Sequence, residues 1–420
     1  MKKTFLFLLL FPFPVFASTS LTGQISFENL NFLKNRAGHS INDQETSETL
    51  FRFVYDNQRS FKLDLEPRLK VDFLDSSRNR YLPNTAEIIF YSPTAEARGG
   101  IGLNPWGVSN SFNPTDVLNR KDLESNYYDP ETLGDVFIKG KKSFTKAGPI
   151  ADLSLTAFFF PLFQETPLPE NDSRFALEGS SGGVPYSFLP DQDSPAFGDA
   201  WGGAFAIAGI IGRSDVSLHY YHGPEHLPGY VFVTDANGAL RLQGFYYTLD
   251  MIGSNIEIPA GRFALHGEAA YKITSDERLH VLAFDDNNAV PNSYFQMVPG
   301  LDYTFQNVGR GEIELTTEYL REFKSGSDFT NFRAFQNDLF VGCQYRAGNR
   351  AETSAELGMI KDLTNTEMIW LARLESRLYK DIKGGLEGIL VRRGNGTTPL
   401  SFFDNNSYVS AKLSWSFGLK

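Results

Sequence analysis

The chain ends on "SYVSAKLSWSFGLK", residues 407–420, and the parity of that stretch decides the fold. Val409, Ala411, Leu413, Trp415 and Phe417 share one parity, while Ser410, Lys412, Ser414 and Ser416 share the other. Side chains of a strand alternate between its two faces, so this segment reads as a strand with one apolar and one polar face. The same period recurs upstream. In "FKLDLEPRLKVDF" (61–73), Phe61, Leu63, Leu65, Leu69, Val71 and Phe73 oppose Lys62, Asp64, Glu66, Arg68, Lys70 and Asp72. "DLSLTAF" (152–158), "RFALHGEAAYK" (262–272) and "GEIELTTEY" (311–319) repeat the pattern.

A soluble sandwich also alternates, so period alone leaves the class open. Connection lengths narrow it. Short breaks fall at 57–58, 93–96, 146–149, 212–214, 259–261, 306–310, 347–350 and 379–384. Longer polar segments lie between them, at 34–48, 105–134, 162–198, 223–239, 273–292, 324–334 and 394–406. Short turns on one side and long loops on the other are the pattern of a transmembrane barrel. In hydrocarbon every backbone N–H and C=O must be paired internally, so the sheet must close on itself. The expectation is an all-β, closed antiparallel transmembrane β-barrel of about 18 strands (16–18), with periplasmic turns and extracellular loops. The apolar parity of the last strand then faces lipid, and Trp415 and Phe417 sit in an aromatic girdle.

The amino terminus agrees. "MKKTFLFLLLFPFPVFA" has Lys2 and Lys3, an apolar run from Phe5 to Phe16, and Val15 and Ala17 at the −3 and −1 positions. It reads as a secretory signal peptide over residues 1–17, leaving 18–420 as a single barrel domain. The run is too short to span a bilayer as a helix, and no later apolar stretch is long enough. No Cys follows the run, which argues against a lipid anchor, and the single Cys343 excludes an internal disulfide. The formal charge of −11 argues against nucleic acid as a partner. Phe (37) and Tyr (18) are abundant, as an aromatic-rich β protein requires.

The connection 105–134 is too long for a simple loop and is expected to fold inward and narrow the bore. Asp116 would cap a short helix running to about Glu124. Trp106, Asp116, Arg120, Lys121, Asp122 and Glu124 are the candidates for the constriction. The alternative is a solvated outer loop. Parity suggests a basic lumen wall of Arg68, Lys70, Arg98, Lys139 and Lys141. An acidic wall of Asp250, Glu268, Asp302, Glu312, Glu314 and Glu318 would face it. Opposed walls would set a transverse field across the water; alternatively these charges pair with one another.

Trp106-Gly107, Asn113-Pro114-Thr115-Asp116, Arg120 and Asp122 resemble the "WG…NP-x-D…R-x-D" stretch of a broad group of Gram-negative outer-membrane barrels, porin-like and alginate-export-like. "SDVSLHYYHG" (214–223), "RFALHGEAAY" (262–271) and "GLDYTF" (300–305) are similar to later strands of that group. The resemblance spans most of the chain and implies a barrel and a passage, without naming a solute. The aromatic-ended last strand resembles the signal read by the outer-membrane assembly machinery, although Gly418, Leu419 and Lys420 follow Phe417.

Other signals are weaker. "GSSGG" (179–183) fits G-x-S-x-G, but in a Gly- and Ser-rich loop rather than a strand–turn–helix. His219, His222 and His226 cluster in sequence, yet parity sends His219 and His222 to opposite faces. Ser217 and His219 share the lumen parity, away from lipid. A plugged active transporter is disfavoured because the first strand begins near Leu21, and a tunnel exporter because long heptad helices are missing. The functional expectation is a porin-like channel passing hydrophilic solutes passively, without catalysis, metal or cofactor. Its partners would be outer-membrane lipid and lipopolysaccharide, the assembly machinery and a small hydrophilic solute. Two rivals stand beside it: a non-conducting adhesion barrel whose outer loops bind a partner, and a barrel-scaffolded lipase. Oligomeric state stays open.

Overall fold

The computed structural model describes residues 18–35, 43–126, 130–169, 173–175, 179–181, 184–193, 200–275, 293–324, 335–365, 367–392 and 406–419. The signal peptide expected over 1–17 lies outside these residues, as do most of the segments 273–292, 324–334 and 394–406 read as long connections.

Eighteen antiparallel strands form one closed sheet. In chain order they are β1 (Ser18–Phe32), β2 (Asp43–Asp56), β3 (Phe61–Asp72), β4 (Arg80–Ser92), β5 (Ala95–Gly102) and β6 (Asp135–Ala147). There follow β7 (Ile150–Phe160), β8 (Gly202–Ile211), β9 (Ser214–Pro224), β10 (Thr248–Ala260), β11 (Phe263–Ser275) and β12 (Ser293–Val308). The last six are β13 (Gly311–Lys324), β14 (Asn337–Ala347), β15 (Ser354–Asp362), β16 (Met368–Tyr379), β17 (Ile382–Arg392) and β18 (Tyr408–Leu419). Each pairs with its sequence neighbour. The ring closes where β18 pairs with β1, in register from Leu21↔Leu419 to Phe32↔Tyr408.

The outward parity is apolar and exposed: Val409, Leu413 and Trp415 on β18, Phe27 on β1, Leu69 on β3, Leu357 on β15. That is what a sheet solvated by lipid requires. The eight short breaks become tight turns. At 309–310 both Gly309 (φ 56°) and Arg310 (φ 68°) are left-handed, the two-residue geometry that matches strand twist. Nine longer connections lie at the other rim. Those used below are L2 (73–79), L3 (103–134), L4 (161–201) and L5 (225–247), with L1 (33–42) and L9 (393–407) flanking the seam.

Two differences from the sequence reading matter. Residues 240–247 do not begin the tenth barrel strand. Leu240–Phe245 instead joins Gly229–Thr234, Val184–Asp193 and Gly179–Ser181 in a separate four-stranded sheet built from L4 and L5. The pairing of Val184–Asp193 with Leu240–Phe245 is parallel, which only a long-range connection permits. Second, residues 116–124 form no helix. Asn113 and Asp116 close a turn (N···O 3.1 Å), and Lys121–Asp122 pairs with Glu131–Thr132 in a short ribbon. Asn and Asp side chains compete for backbone bonds and disfavour helix interiors. Here Asp116 accepts from the Trp106 N–H (3.3 Å) and Asp122 from the Glu124 N–H (3.1 Å).

Candidate functional site

L3 leaves the wall at β5, enters the barrel and returns at β6. Its apolar side chains build a dry core inside the ring. Val117 and Leu118 pack with Phe137, Phe158, Phe160, Tyr221, Leu249, Met251 and Ala270 of the wall, and Trp106 lies against them. Trp106 sits over the His219 ring (centroids 4.5 Å) and meets Phe158 edge-on at 6.0 Å. Full burial of each such side chain stabilises by about 1.5–3 kcal/mol. That holds L3 as a partition.

The polar backbone of L3 is held by two wall carboxylates. Glu268 Oε1 on β11 accepts the N–H groups of Val108 (2.7 Å) and Ser109 (2.8 Å). Its Oε2 accepts the Thr115 N–H (3.3 Å) and hydroxyl (2.8 Å). Glu318 on β13 accepts from Asn110 N (2.5 Å) and Ser111 N (2.9 Å). His266 lies between Glu318 (3.0 Å) and Asp302 (3.0 Å), completing the clamp. Gly107 makes the approach possible. Its φ is 111°, and a Cβ there would come within 2.7 Å of Glu268 Oε1.

The six residues expected at the constriction are mostly cross-links within L3 and to its neighbours. Arg120 donates from its backbone to Asp135 (3.1 Å) and from its guanidinium to Glu165 O (3.1 Å); burial pulls that guanidinium below its ordinary pKa against the pull of Asp135. Lys121 bonds Thr132 (2.7 Å) and lies 3.4 Å from Asp116. Arg78 of L2 donates to the Glu124 carbonyl (2.5 Å) and to Asp72 (2.9 Å). The Glu124 carboxyl is pushed up to about 7, chiefly by burial and further by Asp122 and Asp75, with Arg78 and Ser173 opposing.

An open space lies on the other side of L3. A cavity of about 580 Å³ runs from Leu30 and Tyr408 at its outer end to Ser354 and Glu375 near the periplasmic rim. The L3 residues that face it are Ser125, Asn126 and Glu131, none of which the sequence singled out. Its opposite wall carries Glu356, Arg373 and Glu387, with Arg373 bonded to Glu387 at 2.5 Å.

The charged walls are not segregated by sign. Arg68, Lys70, Arg98, Lys139 and Lys141 share the inward parity with Asp64, Glu66, Glu87 and Glu96. Arg68 pairs with Glu48 (2.7 Å) and with Glu131 of L3. Arg98 pairs with Glu96 (2.6 Å) and Glu87 (3.4 Å), and the Lys139 ammonium lies 5.2 Å above the Phe158 ring. Lys70 lines the cavity and makes no ion pair among the described residues. Opposite, Glu268 and Glu318 are spent on L3, Asp302 also accepts from Thr316 (2.7 Å), and Glu312 and Glu314 share Arg346 (3.3 and 2.7 Å). Asp250 is a correction: it faces outward, bonded to His222 (2.8 Å) and Tyr220 (3.0 Å). The inward parity of β10 holds Leu249, Met251 and Asn255, because L3 rather than water covers that wall.

His219 faces inward and bonds Ser217 (2.8 Å), while His226 lies in L5, 3.8 Å from Asp135. Among the described residues no group of three or more His, Cys, Asp or Glu side chains is arranged to hold a metal. Gly179–Ser181 is a strand of the outer sheet.

No family model matches the sequence, and no curated protein matches it. Solved structures do. Wzi of Escherichia coli, described as a carbohydrate-binding β-barrel involved in group 1 capsule assembly, is 9% identical with a TM-score of 0.53, over 94% of this chain and 85% of that one. A BenF-like porin of Pseudomonas fluorescens Pf-5 is 11% identical with a TM-score of 0.51, over 97% and 99%. OccK2 of Pseudomonas aeruginosa, solved with glucuronate, is 12% identical with a TM-score of 0.50, over 96% and 98%. At these identities the likeness is one of fold: the fold is that of Gram-negative outer-membrane β-barrels.

Proposed function

We propose that this chain is an outer-membrane channel through which small hydrophilic solutes pass passively, without covalent chemistry or a cofactor. The observation that carries the reading is the charged cavity beside L3, bounded by Arg68, Lys70 and Glu131 on one side and Arg373, Glu356 and Glu387 on the other. Such a lining solvates polar solutes and penalises apolar ones. The clamp on Glu268 and Glu318 fixes L3, so L3 sets the width that remains. Polyhydroxylated solutes of sugar size suit the alternating donors and acceptors, in keeping with the glucuronate bound to OccK2. Lipid and lipopolysaccharide would contact the apolar outer parity, and β18 would present the assembly signal. Against a hydrolase, His219 is buried between Trp106 and the wall, where a lipid chain has no approach.

A second reading, a non-conducting barrel that binds a partner through its outer loops, is favoured by the sheet that L4 and L5 build at the outer rim. Conductance of refolded protein in planar bilayers, with liposome swelling in a series of sugars and sugar acids, separates the two. Stepwise conductance with size-dependent swelling is expected. Inserted, folded protein that gives neither would overturn the channel in favour of the binder.

A further inference from the structure

L4 is rooted between β7 and β8, yet residues 173–175 lie against β1 and β18, on the far side of the ring. Phe175 is fully buried, edge-on to Phe32 with ring centroids 5.9 Å apart; Phe32 in turn meets Tyr408 at 5.9 Å. The Arg174 guanidinium lies 4.4 Å above the Phe32 ring and donates to Lys34 O of L1 (2.8 Å). The Arg174 carbonyl accepts from Asn406 Nδ2 of L9 (2.7 Å). Leu30 and Tyr408 belong to the same apolar cluster as Phe175 and also form the outer end of the 580 Å³ cavity. The Arg174–Phe175 tip therefore stands over the outer end of the passage, together with Leu123, Leu168 and Leu242 of the same cluster.

We infer that this tip is a strap that shuts the outer end of the passage and must withdraw before a solute enters from outside. The inference rests on the channel reading above. The strap is held at strand ends and loops rather than by ladder bonds of the wall. It can open locally while the eighteen strands stay paired, as a loop moves on a rigid frame. Its anchors mix an aromatic pocket with hydrogen bonds to backbone carbonyls, so it closes in one defined position.

The test reads access rather than current. In full-length protein carrying Cys343→Ser and Lys412→Cys, the only thiol lies in the cavity. A membrane-impermeant maleimide is applied outside cells lacking their general porins. Labelling is expected to be slow with the strap intact and faster by roughly tenfold or more when Phe175→Ala or Arg174→Ala is added. The heat-dependent gel shift establishes that each variant is folded. Equal labelling rates in folded protein with and without either strap substitution would overturn the inference. Failure of the channel reading shows separately, as missing conductance whatever the strap carries.

Discussion

Thr115 donates twice to one oxygen of Glu268, from its backbone N–H at 3.3 Å and its hydroxyl at 2.8 Å, tying a loop that starts at β5 to strand β11. Glu268→Gln keeps the size but weakens the charge-assisted acceptor that four donors of L3 use. Stability should fall by about 1–3 kcal/mol, read as a lower temperature for the gel shift. Single-channel conductance should rise as L3 loosens. Unchanged values for both would mean that L3 is held by its apolar core alone.

Gly107 offers a backbone test of the same clamp. With φ at 111° and Glu268 Oε1 within 2.7 Å of any added Cβ, Gly107→Ala strains the chain and displaces the carboxylate together. A loss of about 1–3 kcal/mol is expected. Gly148→Ala (φ 63°), where nothing lies near an added Cβ, should show the strain without the rise in conductance that Gly107→Ala shares with Glu268→Gln.

Glu124 makes the junction of L2, L3 and L4 depend on pH. Burial raises its folded-state pKa from 4.5 to about 7, so the folded state holds the proton more tightly than the unfolded chain. Stability from this group is fully present at pH values below 4.5 and is lost as pH rises through about 7. Melting followed between pH 4 and 8 should show that decline, and Glu124→Gln should flatten it. A wild-type profile identical to that of Glu124→Gln would exclude the buried carboxyl as its source.

Lys70 should dominate ion selectivity among the basic residues, since it faces the cavity without an ion pair among the described residues. Lys70→Gln is expected to move the reversal potential in a salt gradient toward cations. Lys139→Gln should move it little, because its ammonium lies over Phe158 on the L3-covered wall. Equal shifts from the two would restore a diffuse field across the bore.

Much of the wall was legible because lipid on one side and a polar interior on the other impose a strict period of two. The eight turns stand out for the same reason: each is a brief break between long alternating runs. Asp250 shows where the rule slips. On β10 the inward residues Leu249 and Met251 are apolar because L3 covers them, and the outward Asp250 is satisfied by His222 and Tyr220. Alternation is therefore inverted there, and the slip was compounded by Leu240–Phe245, which alternates like a wall strand but belongs to the outer sheet. What holds L3 against the far wall was not legible. Its backbone meets Glu268 and Glu318 across 160 and 208 residues of chain, and no local pattern records such a meeting. Ser125, Asn126 and Glu131 face the cavity only because the ribbon Lys121–Asp122 with Glu131–Thr132 turns them there.

The seam between Leu21↔Leu419 and Phe32↔Tyr408 joins β1 to β18, the two described strands that lie farthest apart along the chain. Until those two strands meet, the sheet carries two raw margins, each a row of unmated amides beside a greasy flank. A polypeptide in that open state is sticky, so escorts that shield it in transit matter most for a variant in which either of those two strands has been shortened.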